Sequence, residues 1–150
     1  MSLSDFSHLD PEGTARMVDV SEKPVQRRTA VASGFIQLAL ATIDALKQAA
    51  LPKGDVLTVA RIAAIQAAKQ TAVLIPLCHQ LPLERVDVQF EVQERGVLIR
   101  ATVVTSSKTG VEMEALTAVS IAGLTIFDMC KAVDKGMVLG AIRVDEKVKA

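Results

Sequence analysis

The sequence contains no tryptophan, no tyrosine and only four phenylalanines. Aromatic faces on which the bases of a single strand could stack are therefore scarce. Neither sign of charge is in excess, since 17 Lys and Arg offset 17 Asp and Glu. No global field draws in nucleic acid, so any anion site must be a local cluster. The charge-free run from Ala115 to Phe127 carries Thr and Ser and falls short of the roughly 20 apolar residues of a membrane span. No membrane partner is expected. Met1–Asp10 is polar and acidic, without the basic-then-apolar order of a secretory signal. Cysteine is limited to Cys78 and Cys130, far apart and in no CxxC pair. That excludes a cysteine-rich zinc site and argues against a disulfide framework, so free thiols in a cytoplasmic protein are expected.

Half of the 150 residues are apolar and 23% are charged. That composition buries a core and excludes a disordered chain, and the length fits one domain. Residues 1–14, with Pro11, Gly13 and mixed charge, read as a mobile arm, and residues 15–150 as a single domain. Met17–Val20 and Val25–Ala32 are strand candidates, with Pro24 marking an edge or bulge. Phe35, Leu38, Ala39, Ile43 and Leu46 recur at helical spacing and predict a helix from Phe35 to about Ala49, stopped by Pro52 and Gly54. Asp55 can cap a second, alanine-rich helix to about Ala72, and the two prolines of Ile75–Pro82 leave a loop. Val86, Val88, Phe90 and Val92 alternate with polar residues, Glu94-Arg95-Gly96 turns the chain, and Val97 to about Thr105 returns. Thr109 and Glu112 have the spacing of a capping box ahead of a long apolar helix to about Val133. Gly136 suits a C-terminal cap, and Met137–Val144 a last strand. The order β-α-α-β-β-α-β predicts an α+β ferredoxin-like sandwich, an antiparallel sheet with helices on one face.

Four groups can carry chemistry. His79, in the Pro-bounded Leu77-Cys78-His79 loop, is placed to meet a ligand, although a lone loop histidine more often bonds a nearby carbonyl. Glu112, Met113 and Glu114 open the long helix, where the helix dipole alone accounts for Glu112 but less fully for Glu114. Asp128 and Lys131 share a helix face. The apolar context of Asp128, between Phe127 and Met129, predicts a partly buried carboxylate able to act as acid or base with its lysine. Glu114 and Asp128 lie about 21 Å apart along a helix rising about 1.5 Å per residue, so one small ligand reaches both only through a second subunit or an extended substrate. Arg28, Lys53, Lys69 and Lys108 are the candidate cations, each by itself an ordinary surface residue. The nearly all-apolar long helix also predicts association with a second copy.

Taken together, Met17-Val18-Asp19-Val20, Lys53-Gly54-Asp55-Val56, Ala60-Arg61-Ile62-Ala63, Ile65–Lys69, Leu74–His79, Lys108–Ala118 and Phe127–Val133 closely resemble the MoaC family of cyclic pyranopterin monophosphate synthases, from about His8 to about Lys147. The resemblance implies a ferredoxin-like lyase of molybdenum cofactor biosynthesis. It would convert the cyclised dihydro-GTP nucleotide made by a radical SAM enzyme into cyclic pyranopterin monophosphate and pyrophosphate. It implies a homohexamer, a trimer of dimers, with the site at a subunit interface. By motif, Asp128 is the catalytic acid/base with Lys131 and Lys53. Leu77, Cys78, His79, Glu112, Met113 and Glu114 line the substrate site, and Lys53, Lys69 and Arg28 hold the triphosphate. No step needs a redox centre, so no cofactor or resident metal is expected. Gln80 replaces the family's usual Pro, Phe127 its usual Tyr, and Asp145–Ala150 its Lys-Ser-Gly-Gly-type tail, where Lys147 or Lys149 could substitute. That tail motivates the alternative of a non-catalytic guanine-nucleotide-binding or scaffold module of the same pathway.

Overall fold

The computed structural model describes residues 7–49, 51, 53 and 55–150. Positions 1–6 of the expected arm, and the helix breakers Pro52 and Gly54, lie outside the described residues. The elements are β1 (Gln26–Gln37), α1 (Leu40–Lys47), α2 (Val56–Lys69), α3 (Thr71–Leu74), β2 (Leu83–Gln93), β3 (Gly96–Ser107), α4 (Glu112–Cys130) and β4 (Val138–Lys149). The strands form one antiparallel sheet in the order β2-β3-β1-β4. Helix α4 packs on β1, β3 and β4, and α2 on β2 and α4. This is the expected ferredoxin-like α+β sandwich.

The core follows from the period-two pattern of the central strands. Ala30, Ala32 and Ile36 of β1, and Val97, Ile99, Ala101 and Val103 of β3, are buried toward the helices. Opposite them, α4 buries Ala115, Ala118, Val119, Ala122 and Ile126. Gly34 fits this close approach, because a Cβ there would come within 2.7 Å of Val119 Cγ1. In α2, the buried Ala60, Ala64, Ala67 and Ala68 recur at helical spacing. Asp55 caps that helix as expected, accepting from the Thr58 amide at 3.1 Å and the Thr58 hydroxyl at 2.5 Å.

Several local expectations are corrected. Phe35 belongs to β1, not to a helix, because it pairs with Leu98 of β3 and strand alternation continues to Gln37. Only Ile43 and Leu46 of the proposed helical stripe lie in α1. Met17–Val20 forms no strand. Residues 7–16 instead fold back through a bridge between Leu9 and Ala15 and the Arg16 amide bond to the His8 carbonyl at 2.8 Å. No capping box forms: α4 starts at Glu112, its N-cap is Val111, and no side chain caps it. The helix ends at Cys130, well before Gly136, whose amide donates to Asp134 rather than closing a helix. The last strand runs on to Lys149, so the atypical tail completes the sheet edge against Arg28–Gln37. By length and composition, α4 does reach membrane-spanning size, at 19 residues and mean hydropathy 1.4, but 56% of that window is buried inside the domain. Cys78 and Cys130 are both free thiols, and Cys130 is buried.

The turn between β2 and β3 depends on Gly96, where a Cβ would overlap the Ile36 carbonyl oxygen of the neighbouring strand. Backbone cannot yield as a side-chain tip can, so Gly96→Ala is expected to destabilise the fold by about 2 kcal/mol or more in urea unfolding. Gly140→Ala, with nothing within 4 Å, should stay within about 0.5 kcal/mol of the parent. Equal stability of the two variants would refute this account of the turn.

Candidate active site

A cleft of about 290 Å³ opens where the 75–82 loop meets the start of α4. Leu77, Cys78, His79, Glu112, Met113 and Glu114 all line it. The prolines keep the loop out of regular structure, and the α4 N-terminus supplies the second wall. The remaining walls include Ser7, His8, Val18, Val20 and Lys23. No local sequence pattern marks His8, Val20 or Lys23 as lining residues, because their segment is placed by long-range bonds. His79 Nε2 bonds the Val18 carbonyl at 2.7 Å, and Lys108 Nζ donates to the Ser21 carbonyl at 2.5 Å. A carbonyl only accepts, so His79 Nε2 is assigned the proton and Nδ1 of the neutral ring is left as an acceptor. His79 bonds a nearby carbonyl and also lines the cleft.

Glu114 is 4% exposed. Burial, reinforced by the neighbouring Glu112, pushes its carboxyl up to about 7, so near neutral pH it can give or take a proton. Burial and the Glu114 charge also raise the Cys78 thiol, so that sulfur is not an activated nucleophile. Glu112 pairs with Lys147 of β4 at 3.2 Å. Beyond it lies a smaller cavity of about 170 Å³ with Arg28, Glu112, Lys147 and Lys149 in its walls. Arg28 is aimed by its bonds to the Ser107 and Lys108 carbonyls at the end of β3, both at 3.3 Å.

At the other end of α4, Asp128 receives two lysines. Lys131 Nζ donates to Oδ1 at 2.6 Å, and Lys53 Nζ to Oδ2 at 3.2 Å and to the Asp128 carbonyl at 3.0 Å. Contrary to expectation, the Asp128 side chain is 58% exposed in the single chain, because the apolar neighbours Phe127 and Met129 point to other faces of the helix. The hydrogen bonds from Lys131 and Lys53 hold its carboxyl below the usual carboxylate range, so it is a persistent anion. Lys69 joins neither cleft nor cluster; it is exposed in the last turn of α2, where a cation suits the helix dipole. Among the described residues no group of three or more His, Cys, Asp or Glu side chains is placed to hold a metal ion.

These features define a ferredoxin-like α+β domain with a cleft between a proline-bounded loop and a helix N-terminus. Comparison with known proteins narrows the class. Residues 17–150 match the model of the MoaC family. The chain is 54% identical over 145 residues to a protein of Novosphingobium aromaticivorans named cyclic pyranopterin monophosphate synthase, covering 97% of this chain and 92% of that one. A protein of the same name from Oleidesulfovibrio alaskensis is 54% identical, over 94% of this chain and 90% of its own. A molybdenum cofactor biosynthesis bifunctional protein of Chlorobaculum tepidum is 59% identical over 95% of this chain, which spans only 46% of that longer protein. The chain belongs to the MoaC family.

The carboxyl of Glu114 gives a test with a definite sign. Its folded value of about 7 lies above its ordinary 4.5, so the native state binds the proton more tightly than the unfolded chain. Stability should therefore fall as pH rises from about 4.5 through 7. Glu114→Gln is expected to flatten that decline in denaturant titrations across the window. An unchanged slope would show that Glu114 titrates normally.

Proposed function

We propose that the chain converts (8S)-3',8-cyclo-7,8-dihydroguanosine 5'-triphosphate, the product of a radical SAM enzyme, into cyclic pyranopterin monophosphate and pyrophosphate. The observation that carries this reading is the gathering of Leu77, Cys78, His79, Met113 and Glu114 around one cleft in a chain of the MoaC family. The cleft has about the volume of a small ligand, less than a whole nucleoside triphosphate needs. It accommodates the base and sugar, and the phosphates extend toward cations.

The residues divide the work by charge state. Glu114, near half-protonated at neutral pH, exchanges protons with the base and sugar during rearrangement to the pterin. Asp128, kept ionised between two ammonium groups, takes the proton of the hydroxyl that attacks the α-phosphorus. Lys53, Lys131 and Arg28 stabilise the negative charge that builds on the departing pyrophosphate. Positioning, proton transfer and charge stabilisation suffice for these steps. The cleft and the Asp128 cluster sit at opposite ends of α4, about 21 Å apart at about 1.5 Å per residue, so a working site joins the cleft of one protomer to the cluster of another. That requirement supports a homo-oligomer, with a hexamer built as a trimer of dimers as the proposed form, acting in the cytoplasm. A non-catalytic module is not favoured, because the tail that suggested it completes β4 and carries Lys147 to Glu112.

Purified protein should release pyrophosphate from the cyclised nucleotide. Asp128→Asn is expected to lower turnover by about 100-fold or more, in line with loss of a general base. The loss should appear in kcat, with the variant still melting as the parent does. Undiminished turnover by Asp128→Asn would remove Asp128 from the chemistry, and absence of pyrophosphate release by the parent protein would overturn the assignment.

A further inference from the structure

The cluster of Asp128, Lys53 and Lys131 has a geometric problem. All three side chains are about half exposed or more. Exposed ion pairs lose side-chain entropy when held in one geometry and are screened by salt, so they do not fix their own arrangement. Each lysine also hangs from a segment outside a helix interior. Lys131 is the C-terminal cap of α4, and Lys53 lies in the connection between α1 and α2. Something beneath the cluster must hold both segments.

Asp134 is placed to do so. It is 5% exposed and forms no ion pair among the described residues. Its Oδ2 accepts from the Ala39 amide at 2.7 Å, at the entrance to α1, and its Oδ1 from the Gly136 amide at 3.1 Å. The buried side chain of Thr42 in α1 also favours the ionised carboxyl. The Asp134 amide donates back to the Cys130 carbonyl at 3.0 Å, so the turn carrying Lys131 is closed from inside. Ala39 has no side-chain cap of its own to offer α1, and the Asp134 carboxylate lies beside that helix N-terminus. Burial alone would raise this carboxyl, but the amide bonds from Ala39 and Gly136, aided by the Thr42 side chain, outweigh it and hold the group below the usual range. A buried anion is costly unless bonded, and here the two amide donors come from the entrance to α1 and from the turn that follows α4. Helix α1 then acts as a strut, with Asp134 fastening its start and the connection bearing Lys53 leaving its end.

We propose that Asp134 is a positioning residue for the Asp128–Lys53–Lys131 cluster, tying the end of α4 to the start of α1 so that both lysines meet one carboxylate. The kinetic arm of its test rests on the reaction proposed above; the spectroscopic arm does not. Asp128 is faced by Lys131 from the end of α4 and by Lys53 from the α1–α2 connection, so its carboxyl reports their closeness. Carboxyl NMR of Asp128 in the full-length chain is the readout. In Asp134→Ala its titration midpoint should move up toward the ordinary ~3.9. Turnover should fall about ten-fold in kcat, with KM changed by less than about two-fold. Thr42→Val, which removes the hydroxyl that favours the Asp134 anion and conserves shape, should move the midpoint the same way by a smaller amount and remains informative if Asp134→Ala does not fold. Ile43→Val, a core truncation in the same helix, should lower stability without moving the midpoint. An Asp128 titration unchanged in the folded Asp134→Ala and Thr42→Val proteins would overturn the proposal, as would an equal shift in Ile43→Val. A shifted midpoint in a chain that never releases pyrophosphate would uphold the positioning role and reject the reaction.

Discussion

Close contact between α4 and the central strand β1 governs the rest of the molecule. The strand offers the helix mainly small side chains, with Ala30 and Ala32 buried and Gly34 at the tightest point. The helix answers with Val119 over Gly34 and with the buried Ala115, Ala118 and Ala122, while its Gly123 lets Leu139 of β4 approach. Dispersion is strong at such short separations, and a single added methyl meets atoms at once. Because the helix is seated in this way, its two ends have fixed addresses. One projects Met113 and Glu114 into the cleft, and the other carries Asp128 and Lys131 to the opposite side of the domain.

Three acidic side chains show how the same functional group is given three different characters. Glu114 is buried with few partners and is driven toward neutrality. Asp128 is exposed but paired twice and stays charged. Asp134 is buried yet accepts from two backbone amides and stays charged as well. Burial alone therefore predicts only Glu114; for Asp128 and Asp134 the donors around each group decide. Near neutral pH one fold thus holds a carboxyl that is partly protonated at rest and another that rests as the anion and is free to accept a proton.

The architecture was legible in the residues because its strongest signals are periodic. The alternation of Val86, Val88, Phe90 and Val92 and the alanine repeat of α2 each hold over several turns or pleats. Where two periods coincide, the reading failed. Phe35, Leu38 and Ala39 satisfy a helical spacing, but Gly34, Ile36 and Leu38 equally satisfy a strand, and pairing with β3 settles the matter. Cleft residues from the loop and from the start of α4 were visible as motifs, whereas His8 and Lys23 were not. Their place is set by contacts across the fold, such as His79 to Val18, which leave no local trace. The exposure of Asp128 was misjudged for a related reason: flanking Phe127 and Met129 describe neighbours along the chain, not around the helix.

The pairing of the first strand with the last has a consequence for biogenesis. Arg28 of β1 finds Lys149, and Gln37 finds Val138, only after the rest of the domain has been synthesised. Until then β1 lacks one of its two neighbours and α4 lacks the cover that β4 gives it. Vectorial folding from the ribosome cannot finish this domain in stages; closure is a late, non-local event, with the slow kinetics such topologies carry. The same edge strand bears Lys147 and Lys149, so the smaller basic cavity comes into being only when that closure occurs. Maturation of the chain and appearance of those charges beside Arg28 are a single step.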